Sequence, residues 1–223
     1  MSDMGTTNGF RQPSSQDAGQ APKGARPIVA FDFDGTLTIR DSFTAFLRWR
    51  AGAGGWALGL VKMAPALADY ARDRDRGRIK AASVREFLRG VSRTELEAEA
   101  ERFADQAWAG FMRPDALSRW DEWGAKGALR VIVTASPETT VAPFAQRLGA
   151  EALLGTRLVF DGEDRVTGAF ASANCRGEEK VRRLRAVYGE NLRLAAAYGD
   201  TSGDTEMLAI ADEPGFRVFT GRP

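Results

Sequence analysis

Short apolar runs that end in polar turn residues recur along the chain and predict buried strands. The runs are PIVAFDF at 27–33, LRVIVT at 129–134 and LRLAAAY at 192–198, with a shorter one at 216–219. Apolar runs of this length, without polar alternation, are typical of strands covered on both faces. Helical patterns follow the second and third runs, at 137–148 and 202–211, and one precedes the third, at 178–188. Strands that alternate with helices predict an α/β fold with a Rossmann-like, doubly wound parallel sheet.

The stretch between the first two strands has a different pattern. Residues 41–125 contain several helical segments and no strand pattern. Ser92 and Thr94 each precede a glutamate by three residues, so they are alternative capping boxes for one of these helices. An insertion of 85 residues is too long for a simple crossover. We therefore expect a helical cap domain, 41–125, over a core domain made of 27–40 and 126–223.

Two further segments complete the outline. Leu158–Phe160 and Val166–Phe170 flank a turn rich in Gly and Asp and predict a hairpin. The first 26 residues are rich in Gly, Ser, Gln, Thr and Pro and contain no apolar run, so we expect a disordered tail and not a secretory signal. No stretch reaches about 18 uncharged apolar residues, which excludes a clear membrane span.

Composition narrows the function. The net charge of +1 gives no global field that favours nucleic acid, and we expect no nucleic-acid partner. The one cysteine, Cys175, rules out an internal disulfide and favours a reducing, cytoplasmic compartment. A thiol-phosphatase nucleophile would usually have Arg six positions on, where Val181 stands, so an inert thiol is favoured. The chain has no histidine, so acid–base chemistry must come from carboxylates, Lys, Tyr or the thiol.

The central motif is FDFDGT, which begins at Phe31. Asp32 and Asp34 follow a buried strand, and ligands of open parallel sheets bind at the carboxyl ends of the strands. Residues two apart in an extended segment point to the same side, so both carboxylates face one site. Gly35 permits the tight turn that follows. Two adjacent acids are costly unless a cation offsets them, and Mg²⁺ prefers carboxylate ligands. An acidic turn that caps a helix is the alternative for this motif alone.

Polar residues at the ends of the other strands complete the candidate site. Thr134 ends the second run, and its hydroxyl, with the backbone N–H of Ala135, can hold a phosphate oxygen. Lys180 lies near the start of a helix and fits a point-charge clamp on phosphate, although alone it is an ordinary surface lysine. Asp200 ends the third run, and Asp204 follows one turn later. These acids can complete a metal site beside the first pair.

This ordered set resembles the haloacid dehalogenase superfamily over residues 27–219. The matching motifs are DFDGT, the strand end at Thr134, Lys180 and GDTSGD. The resemblance implies that Asp32 is the nucleophile and Asp34 the general acid and base, as in the phosphatases and phosphomutases of the superfamily. It implies phosphate-binding residues Thr134, Ala135 and Lys180, and Mg²⁺ ligands Asp32, Asp34 (through its backbone carbonyl) and Asp200, with Asp204 in support. The expected activity is a Mg²⁺-dependent phosphatase with an aspartyl-phosphate intermediate.

The position of the cap resembles subfamily IB, the phosphoserine-phosphatase-like group. Phosphoserine phosphatases have Glu at the position of Asp41, SGG at 134–136 and Asn at the position of Gly203. These three differences disfavour phosphoserine as the substrate. Asp41 remains a substrate-pocket candidate. DGTLxxxDxF from Asp34, TxSP at 134–137 and CxGxxKV at 175–181 are more similar to the branch that includes phosphatidylglycerophosphatase C. The resemblance implies a phosphorylated lipid headgroup or similar anionic metabolite as substrate. A small-metabolite phosphatase of the phosphoserine kind and a non-catalytic regulatory protein are the alternatives.

The predicted cap is asymmetric in charge. Residues 40–93 contain 12 Lys/Arg and 5 Asp/Glu, whereas 94–125 contain 3 and 8. The two halves either attract each other as solvated faces or place an anionic substrate or surface near the basic half. Residues 56–71 read as one helix that is apolar around most of its circumference and is followed by RDRDRGR. Such a helix either packs in the cap, through Trp56, Leu60, Met63 and Leu67, or lies on the anionic inner face of a membrane.

Overall fold

A five-stranded parallel sheet forms the centre of the computed structural model, which describes residues 26–223. The strands of the chain are β1 (Ile28–Phe31), β2 (Leu129–Pro137), β3 (Ala152–Thr156), β4 (Leu158–Phe160), β5 (Val166–Phe170), β6 (Leu194–Gly199) and β7 (Ala211–Phe216). The sheet order is β3-β2-β1-β6-β7, and helices flank the sheet. The expected α/β fold is confirmed. The predicted N-terminal tail, apart from Arg26, lies outside the described residues.

The central position of β1 explains its unbroken apolar sequence. Val29, Ala30 and Phe31 have no exposed surface. Phe31 pairs with Ile132 of β2 on one side and with Tyr198 of β6 on the other. The carboxyl ends of β1, β2 and β6 therefore meet at one edge of the sheet, where the candidate residues of the sequence follow.

The hydrophobic pattern did not predict the two edge strands of the sheet, β3 and β7. The expected final strand at 216–219 is wrong, because the strand is β7, which pairs with β6 from Ala211 opposite Leu194 to Phe216 opposite Gly199. Its sequence, ADEPGF, looks like a turn, but an edge strand exposes one side to solvent and tolerates proline there. At the other edge, β3 pairs with β2 and has the short sequence ALLGT.

The helices are α1 (Ser42–Lys62), α2 (Ala64–Asp73), α3 (Arg76–Phe87), α4 (Arg93–Ala107), α5 (Pro114–Ala125), α6 (Glu138–Arg147), α7 (Glu178–Tyr188) and α8 (Thr205–Ala209). The helix α7 has the predicted bounds, whereas α8 is shorter than the pattern at 202–211 because the residues before it form a turn. Of the two capping boxes, the first is used: the Ser92 hydroxyl accepts a hydrogen bond from the Glu95 N–H. Among the helices of residues 26–223, none combines the length and apolar character that a membrane crossing requires.

The single helix expected at 56–71 is wrong. Helix α1 ends at Lys62, α2 begins at Ala64, and the buried Met63 lies between them. Pro65 stands in the first turn of α2, where a missing N–H costs nothing, and so marks a helix start. The Trp56 ring stacks on Phe87 at 5.0 Å, so this part of the apolar surface packs inside the inserted helices.

The hairpin β4–β5 forms as predicted and supports the inserted helices. Val166 of β5 accepts from the Gly90 N–H and donates to the Val91 carbonyl, both at 2.8 Å, so main-chain pairing extends to the loop between α3 and α4. At the other end of the insertion, α5 contacts the core. The Trp120 indole donates to the Leu148 carbonyl at 2.9 Å. The division into core and cap at residues 41 and 125 remains a prediction.

Candidate active site

The chain reverses sharply after β1. The Asp32 N–H donates to the Tyr198 carbonyl at 2.8 Å, which continues the pairing with β6, and a turn at Phe33–Leu37 follows. Gly35 in this turn has φ of 86°, a left-handed conformation that favours glycine. A Cβ at Gly35 would also overlap the carboxylate of Asp200. The glycine therefore lets the ends of β1 and β6 approach each other closely.

A buried lysine joins three of the strand ends. Lys180, 2% exposed, places Nζ 2.6 Å from Asp32 Oδ1, from Asp204 Oδ1 and from the Val133 carbonyl oxygen. The ammonium group thus donates all three of its protons. Burial acts to lower the pKa of Lys180, but Asp32 and Asp204 raise it above its ordinary value, so the side chain stays charged.

The same contacts perturb the two carboxylates in opposite directions. Burial raises the pKa of Asp32 to about 7, with Lys180 acting to lower it and Asp204 adding to the rise. Although burial also acts on Asp204, Lys180 and hydrogen bonds from Thr201 hold the pKa of this carboxyl below its usual range. Of the two carboxylates, Asp32 therefore depends more on a nearby cation to stabilise its ionised form.

Three carboxylates form a candidate metal centre. Asp32, Asp200 and Asp204 each offer an oxygen, and these oxygens lie within 4.8 Å of one another. Asp200 Oδ1 is buried and has no hydrogen-bond partner among the described residues, and burial raises the pKa of this carboxyl. Among residues 26–223, Lys180 is the one ammonium group in contact with the three carboxylates, which leaves a surplus of two negative charges when all three are ionised. An all-oxygen donor set with that surplus fits a hard divalent cation such as Mg²⁺.

Hydrogen bonds from the protein occupy the carboxylate of Asp204, so it suits a supporting role at this centre better than direct binding of a metal. Its Oδ1 accepts from Lys180, and its Oδ2 accepts from the Asp200 N–H at 3.2 Å and the Thr201 N–H at 2.9 Å. Oδ2 therefore holds the loop that carries Asp200, while Oδ1 is bound to Lys180 of α7. The supporting role of Asp204 at a metal stays a prediction.

Asp34 is fixed at both oxygens. Its Oδ1 accepts from the Ser42 N–H at 2.6 Å, and its Oδ2 accepts from the Ser136 hydroxyl at 2.5 Å. Burial and the nearby Asp41 raise the pKa of Asp34, while Lys80 opposes them. A raised pKa suits a carboxyl that gives and takes protons. Ser136 was not among the predicted site residues, although its position two residues after Thr134 on an extended strand places it on the same side.

The end of β2 forms the wall opposite Asp34. Thr134 is fully buried, and its hydroxyl accepts from the Ser136 N–H at 3.0 Å. Ala135 borders the cavity, and its carbonyl accepts from Lys80 Nζ at 2.9 Å. The inserted helix α3, which carries Lys80, is thereby tied to the strand end where phosphate is expected to bind.

A cavity of about 370 Å³ brings most of the predicted residues together. Its core wall contains Asp32, Asp34, Ala135, Lys180 and Asp204. The insertion contributes Asp41, Phe43, Thr44, Tyr70, Arg76, Ile79, Lys80 and Ser83, and the segment before α7 adds Asn174 and Arg176. The volume lies in the range of about 300–1,000 Å³ that is usual for small-molecule sites.

Asp41 and Cys175, which the sequence also singled out, differ in their access to the cavity. Asp41 lines the cavity, and its Oδ1 also caps α1 by accepting from the Thr44 N–H at 2.6 Å. Cys175 is fully buried, and burial raises the pKa of its thiol to about 11. A thiol that stays protonated and covered is a poor nucleophile, in agreement with the inert residue expected from the sequence.

Comparisons with known proteins identify chains of similar sequence and fold. Protein CicA of Caulobacter vibrioides is 53% identical over 212 residues, which cover 95% of this chain and 93% of that protein. A solved structure of a Bordetella pertussis protein of unknown function superimposes with a TM-score of 0.72 at 26% identity, covering 85% of this chain and 88% of that one. A phospho-aspartyl intermediate analogue of phosphoserine phosphatase gives a TM-score of 0.54 at 18% identity, with 85% of each chain covered, and shows a common fold.

The family match covers most of the described chain. Residues 29–209 match the family of haloacid dehalogenase-like hydrolases, and this range spans every candidate residue from Asp32 to Asp204. The chain therefore belongs to the haloacid dehalogenase-like hydrolase family.

Proposed function

We propose that the protein is a phosphatase that hydrolyses phosphomonoesters through an aspartyl-phosphate at Asp32. The observation that carries the proposal is the presence in one cavity of Asp32, bound to Lys180, and of Asp34, fixed by two hydrogen bonds. One carboxylate is thus placed for attack and the other for proton transfer. The intact set of these residues disfavours a non-catalytic regulatory protein.

The two carboxylates perform two half-reactions. A carboxylate oxygen of Asp32 forms a bond to phosphorus while the bond to the leaving oxygen breaks, and Asp34 gives that oxygen its proton. Water then attacks the aspartyl-phosphate, Asp34 takes the proton of the water, and phosphate leaves with Asp32 regenerated. Lys180, Thr134 and the Ala135 N–H hold the phosphoryl oxygens.

Magnesium is the proposed cofactor. Asp32, Asp200 and the backbone carbonyl of Asp34 would hold it, with Asp204 in support. When bound, the ion neutralises charge on the oxygens of the transferred phosphoryl group. Phosphoryl transfer depends mainly on positioning and charge stabilisation, so the cluster needs little further chemistry.

The proposed substrate is a phosphorylated lipid headgroup or a similar anionic metabolite. Cationic side chains of the insertion border the cavity, and the sequence is similar to the branch that includes phosphatidylglycerophosphatase C. The second candidate is a small-metabolite phosphatase of the phosphoserine kind. Asp41 favours that alternative, because its carboxylate lines the cavity, where it would attract the ammonium group of an amino acid.

We also propose a cytoplasmic location with peripheral contact to an anionic membrane. Leu58 and Val61 at the end of α1 are 58% and 71% exposed. The arginine-rich segment that begins at Arg72 follows along the chain. Exposed apolar side chains beside cations are typical of proteins that lie on anionic lipid.

Hydrolysis of p-nitrophenyl phosphate tests the enzymatic proposal. We expect activity with Mg²⁺, loss of activity in EDTA, and a mass increase of one phosphoryl group at Asp32 in quenched reactions. Asp32→Asn should be inactive, because an amide cannot form the acyl phosphate, whereas Asp121→Asn, at a surface carboxylate 81% exposed, should match the wild type. Equal rates in EDTA and Mg²⁺ would refute the metal centre, and near wild-type activity of Asp32→Asn would refute the nucleophile. A screen of phosphoserine, glycerol phosphates and phosphatidylglycerophosphate in detergent then separates the substrate classes.

A further inference from the structure

We infer that the cavity contains a second anion-binding site, formed by Arg76, Lys80 and Arg176, for an anionic group of the substrate other than the transferred phosphoryl. The inference rests on the proposed phosphatase function and specifies its substrate. All three side chains line the cavity that holds Asp32 and Asp34. Arg76 and Lys80 reach it from α3, whereas Arg176 reaches it from the segment before α7.

Ion pairing within the basic segment is selective. Arg78 pairs with Asp73 at 2.8 Å and with Asp75 at 3.3 Å, and it does not line the cavity. Over residues 26–223, Arg76 and Lys80 form no ion pair with a carboxylate. The two aspartates of the segment therefore pair with a cation outside the cavity, and they leave Arg76 and Lys80, which line the cavity, without an ion pair among the described residues.

Lys80 is positioned by a neutral partner. Its Nζ donates to the Ala135 carbonyl at 2.9 Å and lies 5.9 Å from the centre of the Phe43 ring. One of its three protons is used in that hydrogen bond, so two remain for a ligand. The ammonium group stands next to the strand end that is proposed to hold the transferred phosphoryl.

Arg176 is also held by neutral groups. Its Nη2 donates to the Ser202 hydroxyl at 2.8 Å and its Nη1 to the Thr201 hydroxyl at 3.4 Å. Within the described part of the chain it forms no ion pair. These hydroxyls fix the direction of the guanidinium plane without cancelling its charge, and that is how an arginine is prepared for an anionic ligand.

Two of the three cations, Arg76 and Arg176, lie where the cavity meets a second depression. Arg76, Asn174 and Arg176 line both the cavity and an adjoining open groove of about 550 Å³. The groove also contains Asp75, which is paired with Arg78, and Glu206. When the phosphoryl group of a substrate lies at Asp32, the rest of the substrate extends towards the groove. It passes cations that form no ion pair with a carboxylate among the described residues.

This arrangement selects a chemical class. The catalytic end of the cavity takes a phosphomonoester, and the cationic end takes a second phosphate, a phosphodiester or a carboxylate. An ammonium group placed among these three cations would be repelled by them, whereas Asp41 in the same cavity would attract it, so an amine compound distinguishes the two substrate classes. The second anion belongs either to a phospholipid headgroup or to a free bis-anionic metabolite, and the charge arrangement is the same for both.

A charge series of three-carbon phosphates tests the site. We compare propane-1,3-diyl bisphosphate, 3-hydroxypropyl phosphate and 3-aminopropyl phosphate, both as substrates and as ligands of Asp32→Asn measured by calorimetry. The bisphosphate should have at least a tenfold higher kcat/KM and bind at least tenfold more tightly than the hydroxyl compound, with the amine weakest. Equal values for the three compounds, or a preference for the amine, would overturn the inference.

Two arginine variants on the same helix provide the matched comparison. Arg76→Gln should reduce the preference for the bisphosphate over the hydroxyl compound about tenfold. Arg78→Gln removes the same charge from a residue outside the cavity and should keep the preference. If both variants change it equally, general surface charge explains the preference and the site is refuted.

Two further readouts separate the outcomes. Phosphatidylglycerophosphate in mixed micelles presents the same pair of anions on a lipid, and a kcat/KM higher than that of the soluble bisphosphate identifies the lipid source. If no phosphomonoester is hydrolysed, including p-nitrophenyl phosphate, the phosphatase proposal fails. Calorimetry on Asp32→Asn still decides the anion site in that case, because binding does not require turnover.

Discussion

The hydroxyl of Ser136 donates a hydrogen bond of 2.5 Å to Asp34, and the two residues are 102 positions apart in the sequence. The contact joins the end of β2 to the turn after β1. Together with the Ser42 N–H on the other oxygen, it holds the Asp34 carboxyl in one orientation. A group that must both give and take a proton gains from such fixation, because misplacement by an ångström costs rate.

We expect Ser136→Ala to lower kcat about tenfold with little change in KM for p-nitrophenyl phosphate. Hydrogen bonds to charged groups contribute about 1.5–3 kcal/mol, and this one orients the proton donor without touching the phosphoryl group. Ser118→Ala, which removes an exposed hydroxyl bonded to the Pro114 carbonyl, is the matched control. Equal kcat values for the two variants would show that Ser136 does not orient Asp34.

Asp34→Asn should separate the two half-reactions. General acid–base catalysis contributes roughly 10²–10⁴-fold, and an alkyl phosphate needs the acid in the first step. Nitrophenolate leaves without much help from a proton, so the first step with p-nitrophenyl phosphate is slowed less than the second. We therefore expect a burst of nitrophenolate equal to one enzyme equivalent, followed by slow turnover. Stopped-flow absorbance measures it, and equal slowing of alkyl and aryl esters without a burst would contradict the assignment.

Asp200→Asn should raise the Mg²⁺ concentration needed for half-maximal activity by at least about tenfold. Even residues that only orient metal ligands typically contribute 10–100-fold to metal affinity, and Asp200 offers a buried oxygen with no other partner in the described chain. Binding of Mn²⁺, followed by electron paramagnetic resonance, should weaken in parallel. Asp212→Asn, at an exposed carboxylate paired with Arg193, is the control. An unchanged metal requirement in Asp200→Asn would argue against the proposed centre.

Much of the site was predictable because its residues follow central strands. Buried strands such as β1 have continuous apolar sequences, and the acid or hydroxyl that ends the run stands out at once. Parallel pairing then brings Asp32, Thr134 and Asp200 to one edge, whatever the detailed packing. Lys180 needed the family resemblance, since nothing in its local sequence distinguishes it from a surface lysine.

The parts that were missed depend on long-range contacts. Edge strand β7 pairs through its backbone on one side only, so its sequence did not need to be apolar. Ser136 and the Ser42 N–H act on Asp34 through contacts that only the folded chain creates. The chain breaks at Met63, just before Pro65 in the first turn of α2, although the apolar pattern of 56–71 continues across the break.

The structure sharpens the prediction of membrane contact. Trp56 stacks on Phe87 and Met63 is 6% exposed, so neither is free to enter lipid. Leu58 and Val61, which are mostly exposed, remain as the main candidates for apolar contact, and Leu67 is less exposed, at 36%. Attraction to anionic lipid contributes about 1 kcal/mol per cation.

Pairing within the basic segment makes that attraction smaller than its arginine count implies. Arg72 pairs with Asp69, and Arg78 pairs with Asp73 and Asp75. Arg74, next to α2, is exposed and forms no ion pair among the described residues. It lies outside the proposed anion site. Binding should therefore be weak and reversible.

We expect the protein to co-sediment with vesicles that contain phosphatidylglycerol and to be released by high salt, because screening acts over roughly 8 Å at physiological ionic strength. The double variant Leu58→Ser with Val61→Ser should bind at least tenfold less, since each buried aliphatic side chain contributes about 1.5–3 kcal/mol. Val218→Ser, at a valine 53% exposed near the C-terminus, should bind like the wild type. Hydrolysis of p-nitrophenyl phosphate should be the same in the wild type and both variants, whereas activity on a lipid phosphate in vesicles should fall in the double variant alone. Wild-type protein that stays in the supernatant at low salt on anionic vesicles would refute the membrane contact, and the exposed pair would then be ordinary surface residues.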